Sequence, residues 1–268
     1  MITDWDDAYS NGAYIEHAEN YPKLWQKLAA QFRAETRVEL DIPYGTGERE
    51  RFDLFYPAGT PKGLAVFVHG GYWLAFDKSS WSHLAAGAVS QGYAVALPSY
   101  PLAPEARISE ITKKITQAIT KAAEIISGPI KLAGHSAGGH LVTRMVCRDS
   151  SLPTEVQQRI ETVVSISGLH DLRPLLRTAM NTKWQMDADE AVKESSALHA
   201  PRSSVAVTCW VGALERPEFL RQNDLLTSVW TGFGIDIRAH HEAGRHHFDV
   251  IADLVDADSG LVSAWLSP

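Results

Sequence analysis

The chain has 268 residues, 45% of them hydrophobic, and a formal charge of -7. One large α/β domain spanning residues 1–268 is the expectation for that length and apolar content, and an acidic chain with no block of Lys or Arg is unsuited to holding nucleic-acid phosphates. Its two cysteines, Cys147 and Cys209, lie far apart in apolar stretches, which excludes a disulfide framework.

The N-terminal MITDWDDAYSNGAY has neither a basic nor an apolar leader segment, and no apolar run approaches the ~18 residues of a membrane span. These features predict a soluble cytoplasmic protein that contacts no membrane. Neither internal repeats nor long linkers divide the chain, and it carries no signature of a particular oligomeric state. Next come Val38 to Leu40 and Phe52 to Tyr56 around a GTGE turn, a pair that reads as an antiparallel edge. Short β-branched or aromatic runs at Leu64 to His69, Tyr93 to Pro98, Ile130 to Gly134, Thr162 to Ser167, Val205 to Val211 and Ile235 to His240 read as further strands. Between them, Ile108, Ile111, Ile115, Ala118, Ile119 and Ala122 recur at three- and four-residue spacing, one apolar helix face. Strand alternating with helix implies a mostly parallel sheet covered on both sides, with ligands bound beyond the carboxyl ends of its strands. Residues 173–201 interrupt the alternation, and read either as connecting helices or as a small cap over the site.

The chemistry begins at Gly134-His135-Ser136-Ala137-Gly138, which follows the strand IKLA and opens the helix AGGHLVTRMV. A sharp strand-to-helix turn strains the serine and brings the residues two before and two after it into close approach, where only very small side chains fit. Ser136 is therefore the candidate nucleophile, and the helix N-terminus behind it favours a developing oxyanion. His69-Gly70-Gly71-Tyr72-Trp73 ends an earlier strand, and its glycines leave backbone N–H groups unshielded. Gly70 and Gly71, with the amide of Ala137, are the candidate oxyanion donors. His69 reads as a loop-holding residue, and Tyr72 and Trp73 as pocket walls or packing aromatics.

HGGYW, SYPLAPE (Ser99 to Glu105), GHSAG, VGALERPEFLRQN and the late HHFDVI together resemble the branch of the α/β-hydrolase fold that contains kynurenine formamidase (arylformamidase) and its esterase and lipase relatives. The resemblance runs from about residue 50 to about residue 255. It implies a mostly parallel central sheet flanked by helices and a triad in the order Ser, acid, His. Related esterases often carry D-Y-R-L-A-P-E where this chain has Ser99-Tyr100-Pro101-Leu102-Ala103-Pro104-Glu105, a change that removes an Asp and an Arg bracing the loop. By the family pattern Glu215, at the end of VAVTCWVGALE, is the candidate acid, with Asp171 and Glu218 as alternatives. His247 matches the family's HFD and is the candidate base, with His246 beside it as the other choice. His240, His241, His246 and His247 fall within eight positions, but without a carboxylate or cysteine at a known motif spacing, so no metal is assigned.

The expected reaction is two-step acyl transfer needing no cofactor: Ser136 attacks, His247 takes the proton, and Glu215 steadies the imidazolium. The resemblance points to a small-molecule aryl formamide such as N-formylkynurenine, with Arg245 as a candidate contact to its amino-acid end. Short-chain ester hydrolysis is the rival reading, and a non-catalytic binding module the third.

Overall fold

A computed structural model describes residues 2–202 and 204–267. Eight strands form one sheet: β1 (Val38–Pro43), β2 (Arg51–Phe55), β3 (Leu64–Val68), β4 (Ala94–Pro98), β5 (Ile130–His135), β6 (Ile160–Ile166), β7 (Ala206–Gly212) and β8 (Ile237–Glu242), in the spatial order β1-β2-β4-β3-β5-β6-β7-β8. The two pairings made by β2 are antiparallel, and every pairing from β4 to β8 is parallel. The expected antiparallel edge and parallel body are both present.

The sheet aligns the ends of its central strands. Val68 pairs with Gly134, His135 with Ile166, Ile166 with Trp210, and Gly212 with Glu242. The residues that follow β3, β5, β6, β7 and β8 therefore emerge at one end, which is the position from which loops of such a sheet do chemistry.

Hydrophobic layers cover both faces. The helix Ile108–Ile125 buries Ile108, Ile111, Ile115 and Ile119 completely on one of them. Truncating any of these to Ala removes packing worth about 2–5 kcal/mol. On the other face Trp25, Trp81, Trp210 and Trp265 pack with Phe55, Phe67 and Leu254.

After His247 a 3-10 turn spans Ala252–Val255, and a separate helix spans Gly260–Leu266. Asp256 Oδ1 accepts from Asp258 N at 3.0 Å and Ser259 Oγ from Val262 N at 3.1 Å, so short polar side chains take backbone donors that a continuous helix would use. Residues 173–201 form short helical pieces tied down by polar bonds, most of them part-buried. Glu190 accepts from Ser109 N at 3.0 Å and Arg107 Nε at 2.8 Å, Thr112 Oγ1 donates to Glu194 at 2.7 Å, and His140 Nε2 donates to the Glu194 carbonyl at 2.7 Å.

Candidate active site

Ser136 sits between β5 and the helix Ala137–Met145 with φ 56° and ψ −117°, a strained conformation for a residue with a Cβ. A Cβ on Gly134 would lie 2.2 Å from the Gly138 carbonyl oxygen, and one on Gly138 would lie 1.9 Å from that of Val68. Both glycines are thus required by backbone, which cannot move aside as a side chain can. A Cβ on Gly70 would lie 2.9 Å from Ser136 Cβ, so the loop after β3 rests directly against the serine. The N–H groups of Gly70 and Gly71 donate to no backbone acceptor among the described residues, and Ala137, as the first residue of its helix, has no intrahelical partner for its own. Three backbone donors without a backbone acceptor therefore lie in the loops next to Ser136.

The candidate acid and base follow β7 and β8. His247 Nδ1 lies 2.6 Å from Glu215 Oε2, and Glu215 Oε1 accepts from Ser167 Oγ at 2.5 Å and from Gly212 N at 2.9 Å. The Glu215 carboxylate is thus pinned from β6 and β7 while it faces the imidazole. A carboxylate at Nδ1 places the ring proton there and leaves the Nε2 lone pair free. Ser136 and His247 line the same cavity, although no hydrogen bond joins them among the described residues.

The alternatives are placed elsewhere. Asp171 is paired with Arg173 at 2.8 Å, and Glu218 is buried between Tyr9 Oη at 2.7 Å and Arg221 at 2.6 Å. His246 faces Tyr21 Oη at 3.1 Å and its backbone N–H donates to Asp249. His240 stacks on Trp210 and His241 meets Asp224, so the four late histidines point to four different neighbours. Arg245 is committed to Asp253 at 2.6 Å and does not line the cavity.

Trp73 also departs from the substrate-contacting expectation. The backbone from Gly71 to Trp73 is left-handed (φ 106°, 54° and 55°), which turns Trp73 inward. It is fully buried, edge-on to His140 and Trp184, whereas Tyr72 remains in the cavity wall. His69 holds this loop: Nδ1 donates to the Gly70 carbonyl at 2.8 Å, and its ring stacks on Tyr100 at 4.4 Å. Burial pushes His69 down to about 4, so it stays neutral. In place of the absent Asp and Arg of the loop, Arg49 Nε donates to the Tyr100 carbonyl at 2.8 Å, and Ser99 Oγ accepts from Lys78 N at 3.0 Å.

Two contributors were missing from the sequence reading. His135 donates through Nε2 to the His247 carbonyl at 2.9 Å, and burial, reinforced by His247, holds its pKa well below the ordinary histidine range. The larger omission is the N-terminal strap. A cavity of ≈ 530 Å³ above Ser136 is walled by Tyr9, Asn11 and Trp25 from the strap, together with Tyr72, Trp81 and Phe248. From residues 173–201 Met180 reaches it, whereas residues between 6 and 25 supply seven of the lining side chains or backbone segments. The strap is fastened by Tyr9 Oη to Glu218 and by Gln222 Nε2 to Tyr9 Oη at 3.1 Å, which accounts structurally for the buried Glu and Gln of the PEFLRQ run. The density of aromatics before residue 26 was the available signal.

A sequence model of the alpha/beta hydrolase fold family matches residues 65–219, more than half of the chain. The chain belongs to this family. Its enzymes are of the serine-hydrolase type, and so is this one. It is 29% identical to a kynurenine formamidase of Danio rerio over 245 residues, covering 87% of this chain and 83% of that one. A kynurenine formamidase of Drosophila melanogaster is 27% identical over 96% of this chain and 89% of its own. A solved structure from Silicibacter sp. TM1040, named provisionally as a thioesterase, is 55% identical with a TM-score of 0.94 over 98% of this chain and 99% of that chain. No helix of the described residues is long and apolar enough to cross a membrane.

Proposed function

We propose that the protein removes a small acyl group from an aromatic leaving group, with Ser136 as nucleophile, His247 as base and Glu215 as the acid that orients it. The observation that carries this reading is the Glu215–His247 contact of 2.6 Å set beside the strained Ser136 in a single aromatic-walled cavity. Ser136 Oγ attacks the substrate carbonyl carbon as its proton passes to His247 Nε2. The carbonyl oxygen becomes an oxyanion facing the N–H groups of Gly70, Gly71 and Ala137. Collapse expels the leaving amine or alcohol, which takes the proton from His247, and leaves an acyl-serine. Water then attacks by the same route and frees the acid.

An aryl formamide such as N-formylkynurenine is the substrate we favour, on the similarity to kynurenine formamidases and on the stacking surface of Tyr72, Trp25 and Phe248. A second reading, a short-chain aryl esterase, draws on one observation: no Lys or Arg is among the described residues lining the cavity, so nothing there meets a carboxylate with a full positive charge. The two free, buried cysteines suit a reducing compartment and support action in the cytoplasm.

The test is kcat/KM for purified protein on N-formylkynurenine, p-nitrophenyl acetate, p-nitrophenyl dodecanoate and phenyl thioacetate. The formamidase reading expects N-formylkynurenine to rank first and dodecanoate last. Turnover of N-formylkynurenine a hundredfold or more below that of p-nitrophenyl acetate would replace it with the esterase reading.

A further inference from the structure

His135 carries a nitrogen that the Ser136, His247 and Glu215 assignment leaves unused. It is the residue before Ser136, and its side chain lines the cavity beside Ser136 and His247. Nε2 lies 2.9 Å from the His247 carbonyl oxygen, and a carbonyl can only accept, so Nε2 holds the ring proton. The imidazole is neutral, because burial and the neighbouring His247 both disfavour its charged form. Nδ1 is therefore a bare lone pair, and its tautomer is fixed by a backbone atom of the residue that supplies the base.

That lone pair is open to the cavity. Asn11 and Trp81, in the same wall, hold polar atoms shut away both from solvent and from any partner among the described residues. His135 Nδ1 also has no partner among the described residues, but it is not one of the shut-in atoms, and neither are Ser136 Oγ and His247 Nε2. The small exposed part of His135 therefore includes Nδ1, and the three atoms share one cavity.

Its position says which part of a substrate it meets. A Cβ on Gly70 would lie 2.9 Å from Ser136 Cβ and 3.4 Å from His135 Nδ1, so Nδ1 stands level with the nucleophile. The ring centroids of His135 and His247 are 4.7 Å apart. The leaving atom, bonded to the carbon that Ser136 attacks and due to take its proton from His247, is thus set in the space that Nδ1 faces. Esters and amides differ at that atom. An ester oxygen turns only lone pairs toward Nδ1, whereas the nitrogen of a secondary amide carries an N–H. As the carbonyl carbon becomes tetrahedral, the nitrogen pyramidalises, its lone pair turns to His247 Nε2, and its N–H needs an acceptor elsewhere.

We propose that His135 Nδ1 accepts a hydrogen bond from the scissile N–H and so raises turnover of N-aryl amides, formamides included, relative to aryl esters. This rests on the serine-hydrolase reading of the same cavity and says which bond that site is built to break. In acylation the bond from Ser136 Oγ to the acyl carbon forms and the C–N bond breaks. The proton on His247 Nε2 passes to the leaving nitrogen, and the N–H held by His135 stays on the departing amine. With an ester, Nδ1 loses water and gains no donor, a penalty that falls on the ester alone.

The experiment compares kcat/KM on para-nitroformanilide and para-nitrophenyl formate, with spontaneous hydrolysis subtracted, in wild type, His135→Gln and His135→Phe. Gln keeps a donor for the His247 carbonyl and Phe keeps the bulk of the ring, but neither has a lone pair in the place of Nδ1. The amide-to-ester ratio should fall about fivefold or more in each, the worth of one neutral hydrogen bond. Because both rates come from the same preparation, a general loss of folded enzyme or of His247 alignment cancels in the ratio. A smaller fall in either variant, or wild-type enzyme that cleaves the ester and not the amide, overturns the proposal. Equal loss of both reactions, even a complete one, makes His135 purely structural and also overturns it. Ser136→Ala separates the two layers: turnover that survives it refutes the nucleophile assignment, whereas Ser136-dependent turnover with an unaltered ratio refutes only the role of His135.

Discussion

Replacing Glu215 with Gln tests the triad through a single proton. The substitution conserves shape, and the structure dictates how the new side chain must lie. Gly212 N–H and Ser167 Oγ both donate to the Oε1 position, at 2.9 and 2.5 Å, and a backbone N–H can act only as a donor. The carboxamide oxygen is therefore held there, and its NH₂ group occupies the place of Oε2, 2.6 Å from His247 Nδ1. Facing a donor, Nδ1 must accept. The ring proton then moves to Nε2, the nitrogen that should take the proton of Ser136, and the base is disabled without displacing an atom. Loss of a triad acid with this change of tautomer costs on the order of 10³ to 10⁴ in kcat, about 4–5 kcal/mol of transition-state stabilisation. The assay is kcat on p-nitrophenyl acetate, with Tm checked in parallel. Because both donors to Oε1 keep their acceptor, Tm should shift by no more than a few degrees. Activity within tenfold of wild type would refute the reasoning.

The tandem histidines should separate cleanly: His247→Asn is expected to be inactive and His246→Asn to retain most kcat, since only His247 reaches Glu215; the reverse ranking would move the base. Gly138→Ala forces a Cβ against the Val68 carbonyl and should cost about 3 kcal/mol or more, read as a Tm lower by roughly 10 °C, whereas Gly59→Ala, with nothing within 4 Å, should be near neutral. Burial holds His69 and His83 down to about 4 and His140 and His170 down to about 3, so between pH ~6.5 and ~4 the unfolded chain binds protons that the folded chain does not. Stability contributed by these groups is therefore complete above about pH 6.5 and lost as pH falls, at up to roughly 5 kcal/mol per pH unit for four protons. Calorimetry should show Tm falling steeply from pH 7 to pH 5, with proton uptake on unfolding; a flat Tm over that range would contradict it.

The parts of the fold legible in sequence are those fixed by local sterics or short period. Gly134 and Gly138 announce the turn at Ser136 because any side chain there meets backbone, and the spacing from Ile108 to Ala122 announces a buried helix face. What sequence did not disclose depends on contacts between distant residues or on backbone hand. Tyr9 meets Glu218 across 209 positions, so nothing near either residue reveals that the N-terminal strap closes the cavity. Tyr72 and Trp73 are adjacent and chemically alike, and only the left-handed run from Gly71 to Trp73 sends one to the cavity and the other to the core. Residues 173–201 break the strand rhythm and read either as connecting helices or as a cap, and the polar bonds from Arg107, Ser109, Thr112 and His140 that pin them lie in other elements.

A nucleophilic Ser136 should be open to covalent capture. The purified protein is treated with a fluorophosphonate, and the adduct is located by peptide mass mapping alongside residual activity. One adduct is expected, on Ser136, forming in step with loss of turnover, absent from Ser136→Ala and strongly slowed in His247→Asn. Full inhibition with the label on another residue, or turnover that persists once Ser136 is fully modified, would contradict it.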